Sequence, residues 1–122
     1  MNLLSDNSLK VTDEGLDLAI RLPWYRALPL STVEIKELRI DGQPIDAARM
    51  TIEINGKDFG LDMLQNLTNE YWFVLDSAIL HIGYPGVSRG REFDVELTVV
   101  IYPPYIIGLS FPHQAKERMR AS

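Results

Sequence analysis

Few residues in this sequence have a type and spacing suited to chemistry. The two histidines, His81 and His113, lie far apart, and neither belongs to a metal-binding spacing such as His-Glu-x-x-His. His81 stands among Ile79, Leu80 and Ile82, which favours an ordinary strand residue over a metal ligand. Cysteine is absent, so cysteine nucleophiles, thiolate metal sites and disulfides are excluded.

Two further patterns suggest chemistry only weakly. Glu92, Asp94 and Glu96 share one face of a predicted strand, but without additional ligands a solvated acidic face is favoured over a cation site. The glycine-containing segment 83–90 is not followed by Lys-Ser or Lys-Thr, so a phosphate-binding loop is not predicted. The residue types alone therefore indicate a binding or subunit role.

The segment RLPWYRALPLS, residues 21–31, is the most unusual in the chain because prolines and aromatics interrupt a regular apolar pattern. The segment PPYIIGLSF, residues 103–111, has a similar composition. Together they predict a rigid apolar surface at a subunit interface or a ligand groove, with an aromatic plug at a sheet edge as the alternative. The candidate residues for this surface are Pro23, Trp24, Tyr25, Arg26, Leu28, Pro29, Tyr102, Pro103 and Tyr105.

Size and charge limit the possible partners. The 122 residues are 46% hydrophobic, which suits a single domain over 1–122 with one core. With 17 acidic and 12 basic residues, the net charge of -5 argues against binding nucleic acid or anionic lipid. The basic residues Lys116, Arg118 and Arg120 predict a flexible, solvated tail over 113–122, so order is expected for about 9–112. Neither a signal peptide nor a long apolar run is visible, which favours the cytoplasm.

The elements that position these residues follow from period-two alternation. Strands are predicted before Pro23, over 33–40 with a bulge near Lys36 or Glu37, and around 52–54, 70–75, 78–82 and 92–102. Asp41-Gly42 and Asn55-Gly56 mark tight turns. A short helix is predicted over 61–67. The expected fold is all-β, an antiparallel two-sheet β-sandwich with one short helix.

Alternation fails at two places. Residues 98–102 and 71–75 carry apolar side chains on both parities, although a sandwich strand needs only one apolar face. Either a segment of the same chain or a partner protein would cover the second face.

The motif Pro23 to Ser31, followed by Asp41-Gly42, resembles the small β subunit of bacterial C-glycoside deglycosidases. The resemblance runs from about Gly15 to Pro104 and includes INGKDFGLDML, the tryptophan of EYWFVL and GVSRGREFDVELTVVIYPP. It implies a β-sandwich subunit of a heteromeric carbon–carbon lyase.

The same resemblance implies a larger (β/α)-barrel subunit that holds a divalent metal, expected to be manganese, together with the acid–base residues. The implied substrate is a 3-oxo-glucoside carbon-linked to a flavonoid or other aromatic, cleaved by elimination. No catalytic residue, cofactor or metal site is assigned to this chain. Two other functions stay open, namely a free-standing carbohydrate- or polyphenol-binding module and a small enzyme in its own right.

Overall fold

The strands form two main sheets and one small pair. The computed structural model describes residues 3–122. The eleven strands of that range are β1 (Leu4–Val11), β2 (Gly15–Arg21), β3 (Leu28–Pro29), β4 (Val33–Ile40), β5 (Gln43–Pro44), β6 (Met50–Ile54), β7 (Lys57–Gly60), β8 (Tyr71–Trp72), β9 (Ser77–Gly83), β10 (Glu92–Ile101) and β11 (Phe111–Arg120). Five strands pair in the order β1-β2-β9-β6-β7, four in the order β11-β10-β4-β5, and β3 pairs with β8.

The sheets are held together by the alternating side chains of their inner faces. Leu18 and Leu80 of the five-stranded sheet belong to the same buried cluster as Leu97 of the four-stranded sheet. Every pairing between strands is antiparallel. The predicted all-β sandwich is therefore confirmed, with one additional two-stranded pair.

The turn and bulge predictions are also confirmed. Asp41-Gly42 joins β4 to β5 and Asn55-Gly56 joins β6 to β7, with positive φ at all four residues. Such a turn matches the right-handed twist of the strands that it connects. The register between β4 and β10 shifts where Thr98 pairs with Glu37 and Val99 with Ile35, which places the extra residue at Lys36.

A short helix forms at the predicted position, but it is a 3-10 helix. Leu61–Asn66 is a 3-10 helix, and two further 3-10 turns span Leu30–Thr32 and Ala47–Arg49. Leu61, Leu64 and Leu67 are three residues apart, which is the spacing that a 3-10 helix aligns on one face. Leu64 is buried, whereas Met63 is 49% exposed. Among the described residues, no helix is long and apolar enough to cross a membrane.

The C-terminal segment corrects a prediction. The composition predicts a flexible tail over 113–122, whereas β11 pairs with β10 from Phe111 to Arg120. The basic side chains are matched across the strands, since Arg118 contacts Glu92 and Asp94, and Lys116 contacts Glu96. Ordered structure also begins earlier than residue 9, because β1 starts at Leu4. The acidic side chains of β10 and the basic side chains of β11 therefore pair with each other on one face of the sheet.

The C-terminus also closes one edge of the sandwich. The amide of Val11 donates to the carbonyl of Ser122 at 2.9 Å, and the amide of Ser122 donates to the carbonyl of Leu9 at 3.1 Å. These bonds join the outer strand β1 of one sheet to the residues that follow β11 of the other sheet.

Candidate functional site

Three loops meet at one end of the sandwich. Residues 22–27 follow β2, whose last residue Arg21 pairs with Ser77, the first residue of β9. Leu28 pairs with Trp72, so residues 73–76 run beside residues 22–27. Residues 102–110 connect the end of β10 to the start of β11. We call the surface formed by loops 22–27, 73–76 and 102–110 the aromatic end.

Hydrogen bonds connect two of these loops. The indole Nε1 of Trp24 donates to the hydroxyl of Tyr105 at 2.8 Å, and the hydroxyls of Tyr25 and Tyr105 are also 2.8 Å apart. The guanidinium carbon of Arg26 lies 5.5 Å from the ring centroid of Tyr25 and 5.3 Å from that of Tyr105. Cation–π attraction therefore holds Arg26 against both rings. The two proline-aromatic segments thus form one continuous cluster.

Trp24 connects this cluster to the body of the protein. Its ring lies 5.4 Å from the ring of Phe111 and 6.2 Å from that of His113 between centroids, and its side chain is half-buried. The Nε2 atom of His113 is buried and has no hydrogen-bond partner within residues 3–122. Burial lowers the pKa of His113 because the charged imidazolium loses contact with water. Because Trp24 is half-buried against Phe111 and His113, it supports the aromatic end from the inside, whereas the more exposed Tyr25 and Tyr105 form its surface.

Large apolar side chains project from all three loops. Ile107 is 96% exposed, Leu75 is 85% exposed and Tyr25 is 61% exposed. Phe73 and Leu109 are more than half exposed as well. Contiguous exposed apolar surface rimmed by polar residues is typical of a protein or ligand interface. The aromatic end is the candidate functional site.

Several residues predicted for this surface are buried or half-buried. Leu28 is 1% exposed and belongs to the core, so it is not available to a partner. Pro23 and Pro103 are buried, and Pro29 is half-buried in the β3–β8 pair. Pro23 and Pro103 therefore restrict the backbone of their loops but offer almost no exposed surface, and Pro29 is only partly exposed.

Tyr102 is exposed but points away from the aromatic cluster. Its hydroxyl donates to Oε1 of Glu34 at 2.8 Å, and its amide donates to the carbonyl of Thr32. The hydrogen bond to Glu34 raises the pKa of Tyr102, and the bond to Tyr105 does the same for the pKa of Tyr25. The structure thus unites Trp24, Tyr25, Arg26 and Tyr105 and leaves Tyr102 beside β4.

The alternation of apolar and polar residues is lost at two places, 98–102 and 71–75, for two different reasons. Val99 and Val100 are both buried, so the chain itself covers both faces of β10 at this point, whereas Tyr102 on the outward parity stays exposed. Residues 71–75 are different, because Trp72 is fully buried whereas Tyr71, Phe73 and Leu75 are exposed. The sequence shows the consecutive apolar residues, but no local pattern places Phe73 and Leu75 beside the Pro23 to Ser31 motif. The β3–β8 pairing is what brings them there.

A second cluster was missed by sequence reasoning. His81 lies on the outer face of the five-stranded sheet, with Nδ1 2.7 Å from Asp17, and Nε2 2.8 Å from Glu53 and 3.3 Å from Asp58. Burial lowers the pKa of His81, but the hydrogen bonds to Asp17 and Glu53 outweigh this effect and raise it overall. The four residues come from four strands, so no local spacing reveals them.

Comparison with known proteins identifies the family. The family model described as C-glycoside deglycosidase beta subunit matches residues 2–105. This chain belongs to that family. The matched range includes loops 22–27 and 73–76 and ends at Tyr105, the residue that joins the two proline-aromatic segments.

Curated relatives agree with this membership of the C-glycoside deglycosidase beta subunit family. The 3'-dehydrocarminate deglycosidase beta subunit of Microbacterium sp is 38% identical over 105 residues, which cover 85% of this chain and 78% of that protein. A C-glycoside deglycosidase beta subunit of Microbacterium trichothecenolyticum is 36% identical, over 86% of this chain and 79% of that protein. A C-glycoside deglycosidase beta subunit of Arthrobacter globiformis is 35% identical, over 86% of this chain and 80% of that protein.

Proposed function

We propose that this chain is the small subunit of a heteromeric C-glycoside deglycosidase and that the aromatic end docks on the larger subunit. The observation that carries the proposal is the exposure of Tyr25, Leu75, Tyr105 and Ile107 on adjoining loops. Burial of such side chains is the main favourable contribution to association. The family name supports a multi-subunit enzyme, since it describes a beta subunit.

The contacts within the aromatic end favour tight docking. The shared hydroxyl bonds fix Tyr25 and Tyr105 relative to each other, and Arg26 is held over both rings. Side chains that are already ordered lose little entropy when a partner covers them. Arg26 is exposed and is suited to a carboxylate or carbonyl group of the larger subunit.

We assign the chemistry to the larger subunit, for which the family resemblance implies a (β/α)-barrel with a divalent metal, expected to be manganese. Oxidation at C3 of the glucoside acidifies the C2 proton, so its removal allows the aryl carbon to leave as it is protonated. The relative named for 3'-dehydrocarminate supports a 3-oxo sugar as the substrate class. This chain would border the aglycone end of the pocket, and the complex is expected in the cytoplasm.

A second candidate is a binding module that takes up a carbohydrate or polyphenol without a partner. The exposed rings of Tyr25 and Tyr105 favour it, because aromatic side chains can stack on the rings of such ligands. This candidate predicts a stable monomer that binds a glycoside alone.

Reconstitution distinguishes the two candidates. The chain and the larger subunit are expressed separately and together, and release of the aglycone from a 3-oxo C-glucoside is followed by chromatography. The subunit proposal predicts release only when both chains are present, with no glycoside binding by this chain alone. Full activity of the larger subunit by itself, or tight glycoside binding by the isolated chain, would contradict it.

A further inference from the structure

The cluster around His81 joins four adjacent strands on the outer face of the five-stranded sheet. Asp17 lies on β2, His81 on β9, Glu53 on β6 and Asp58 on β7. Asp17 pairs directly with His81, and Glu53 pairs directly with Asp58. The residues on either side of Asp17, Glu53 and His81 in their strands are buried in the core. Asp58 lies directly opposite Glu53, so all four side chains share the solvent-facing side of the sheet.

The Nε2 atom of His81 faces two carboxylates at once. It lies 2.8 Å from Oε1 of Glu53 and 3.3 Å from Oδ1 of Asp58, and the three candidate ligand atoms are within 4.8 Å of one another. A tetrahedral metal with bonds of about 2.1 Å needs donor atoms roughly 3.4 Å apart. Because Glu53 and Asp58 are partly exposed, their side chains can rotate to the spacing that a metal requires without any movement of the strands.

The other ring nitrogen has the partner expected of a metal ligand. Nδ1 of His81 lies 2.7 Å from Oδ1 of Asp17. A histidine that binds a metal commonly donates its second N–H to a carboxylate, which fixes the ring and the tautomer. Nε2 of His81 is hydrogen-bonded to Glu53 in the same way, so an ion would displace the Nε2 proton and take its place between Glu53 and Asp58, while Nδ1–H stays on Asp17.

The local charge also favours a cation. Asp17, Glu53 and Asp58 place three carboxylates around one imidazole. Lys10 lies opposite Asp17 in the β1–β2 register, so the excess of negative charge is concentrated at Glu53 and Asp58. A cleft of about 660 Å3 opens beside the cluster and is also lined by Asp13 and Glu14. Arg49 lines the same cleft, but its guanidinium donates to the carbonyl of Gly83.

We propose that His81, Glu53 and Asp58 bind a divalent transition metal of the zinc class, with Asp17 as the residue that orients His81. A ligand set of one imidazole and two carboxylates suits Zn²⁺ better than Mg²⁺ or Ca²⁺, which prefer oxygen alone. The ion would connect β6, β7 and β9 as a structural link. The proposal departs from the expectation that this chain holds no metal, and it does not depend on the proposed function.

Metal titration of the full chain without a polyhistidine tag tests the site. Zn²⁺ is followed by calorimetry and Co²⁺ by visible absorption, and one ion per chain is expected. His81→Gln and Glu53→Gln should weaken binding at least about 10-fold, and Asp17→Asn about 10-fold to 100-fold. Asp94→Asn is the matched control, because Asp94 is also an outward carboxylate but pairs with Arg118 on the other sheet. It should bind as the unchanged chain does.

Two further measurements distinguish a loss of metal binding from a folding defect in the variants. Each variant is checked by circular dichroism, and Zn²⁺ should raise the Tm of the unchanged chain and of Asp94→Asn but not that of His81→Gln. Binding weaker than about 1 mM, or equal binding by the unchanged chain and His81→Gln, would overturn the proposal. The cluster would then be an ion-pair network around a protonated imidazole.

Discussion

Ile107 allows docking to be tested apart from folding. Its side chain is 96% exposed, so Ile107→Ser removes almost no buried contact from the free chain. We expect the free energy of unfolding to change by less than about 0.5 kcal/mol, as for surface substitutions in general. If the larger subunit covers Ile107, the loss of its burial costs about 1.5 to 3 kcal/mol of association. This corresponds to a roughly 10-fold to 150-fold higher Kd.

The assay is titration calorimetry of the variant against the larger subunit, with urea unfolding of the free chain measured in parallel. Met63→Ser is the matched control, because Met63 is also an exposed apolar residue but lies in the 3-10 helix Leu61–Asn66, outside the aromatic end. Its Kd should stay unchanged. An unchanged Kd for Ile107→Ser, or an equal loss in both variants, would refute docking through this loop.

Trp24→Ala is a less direct test of the same surface. We expect it to weaken association by at least about 2 kcal/mol, as truncation of an interface tryptophan often does. However, Trp24 also packs on Phe111 and donates to Tyr105, so its loss disturbs the free chain as well. Ile107 has no such dual role.

Three further outcomes are expected. Tyr105→Phe removes the hydroxyl that accepts from Trp24, so stability should fall by no more than about 1 kcal/mol while hydrogen exchange in loop 102–110 increases. Trp72→Ala should cost about 3 to 5 kcal/mol in urea unfolding, because Trp72 is fully buried and donates to the carbonyl of Asp76. Burial lowers the pKa of His113, so its neutral form is favoured in the folded chain and stability is lost as pH falls below the ordinary value of 6.5. His113→Phe should remove this loss, as measured by unfolding between pH 8 and pH 5; an unchanged pH profile would contradict it.

Local features of the fold could be predicted from the sequence. Asn55-Gly56 and Asp41-Gly42 specify turns because few residue pairs accept two consecutive positive φ values. The bulge at Lys36 follows because Ile35 and Leu38 must both reach the core although they lie on opposite parities. In each case a few adjacent residues contain the whole constraint.

Features that depend on distant pairing could not be predicted in the same way. Basic residues at the C-terminus look like a solvated tail until Arg118 is placed opposite Glu92 and Asp94 of β10. Leu28 reads as part of an exposed motif until its pairing with Trp72 places it in the core. The composition of a segment does not say which strand it will meet.

The two candidate sites also differ in how far the sequence alone predicts them. The unusual composition of the Pro23 to Ser31 motif revealed the aromatic end, although the bonds of Tyr105 to Trp24 and Tyr25 required the fold. The cluster at His81 has no comparable signal, because a strand with one histidine among aliphatics is ordinary in sequence. Only the order of strands brings Asp17 and Glu53 to its two nitrogens.

The most direct test of the central claim is the molar mass of the co-expressed chains by size-exclusion chromatography with light scattering. The unchanged chain should elute with the larger subunit in a stoichiometric complex. A variant with Tyr25, Leu75 and Ile107 all changed to serine should elute as the free 13.9 kDa chain. Elution of the unchanged chain apart from the larger subunit, or an intact complex of the triple variant, would contradict docking through the aromatic end.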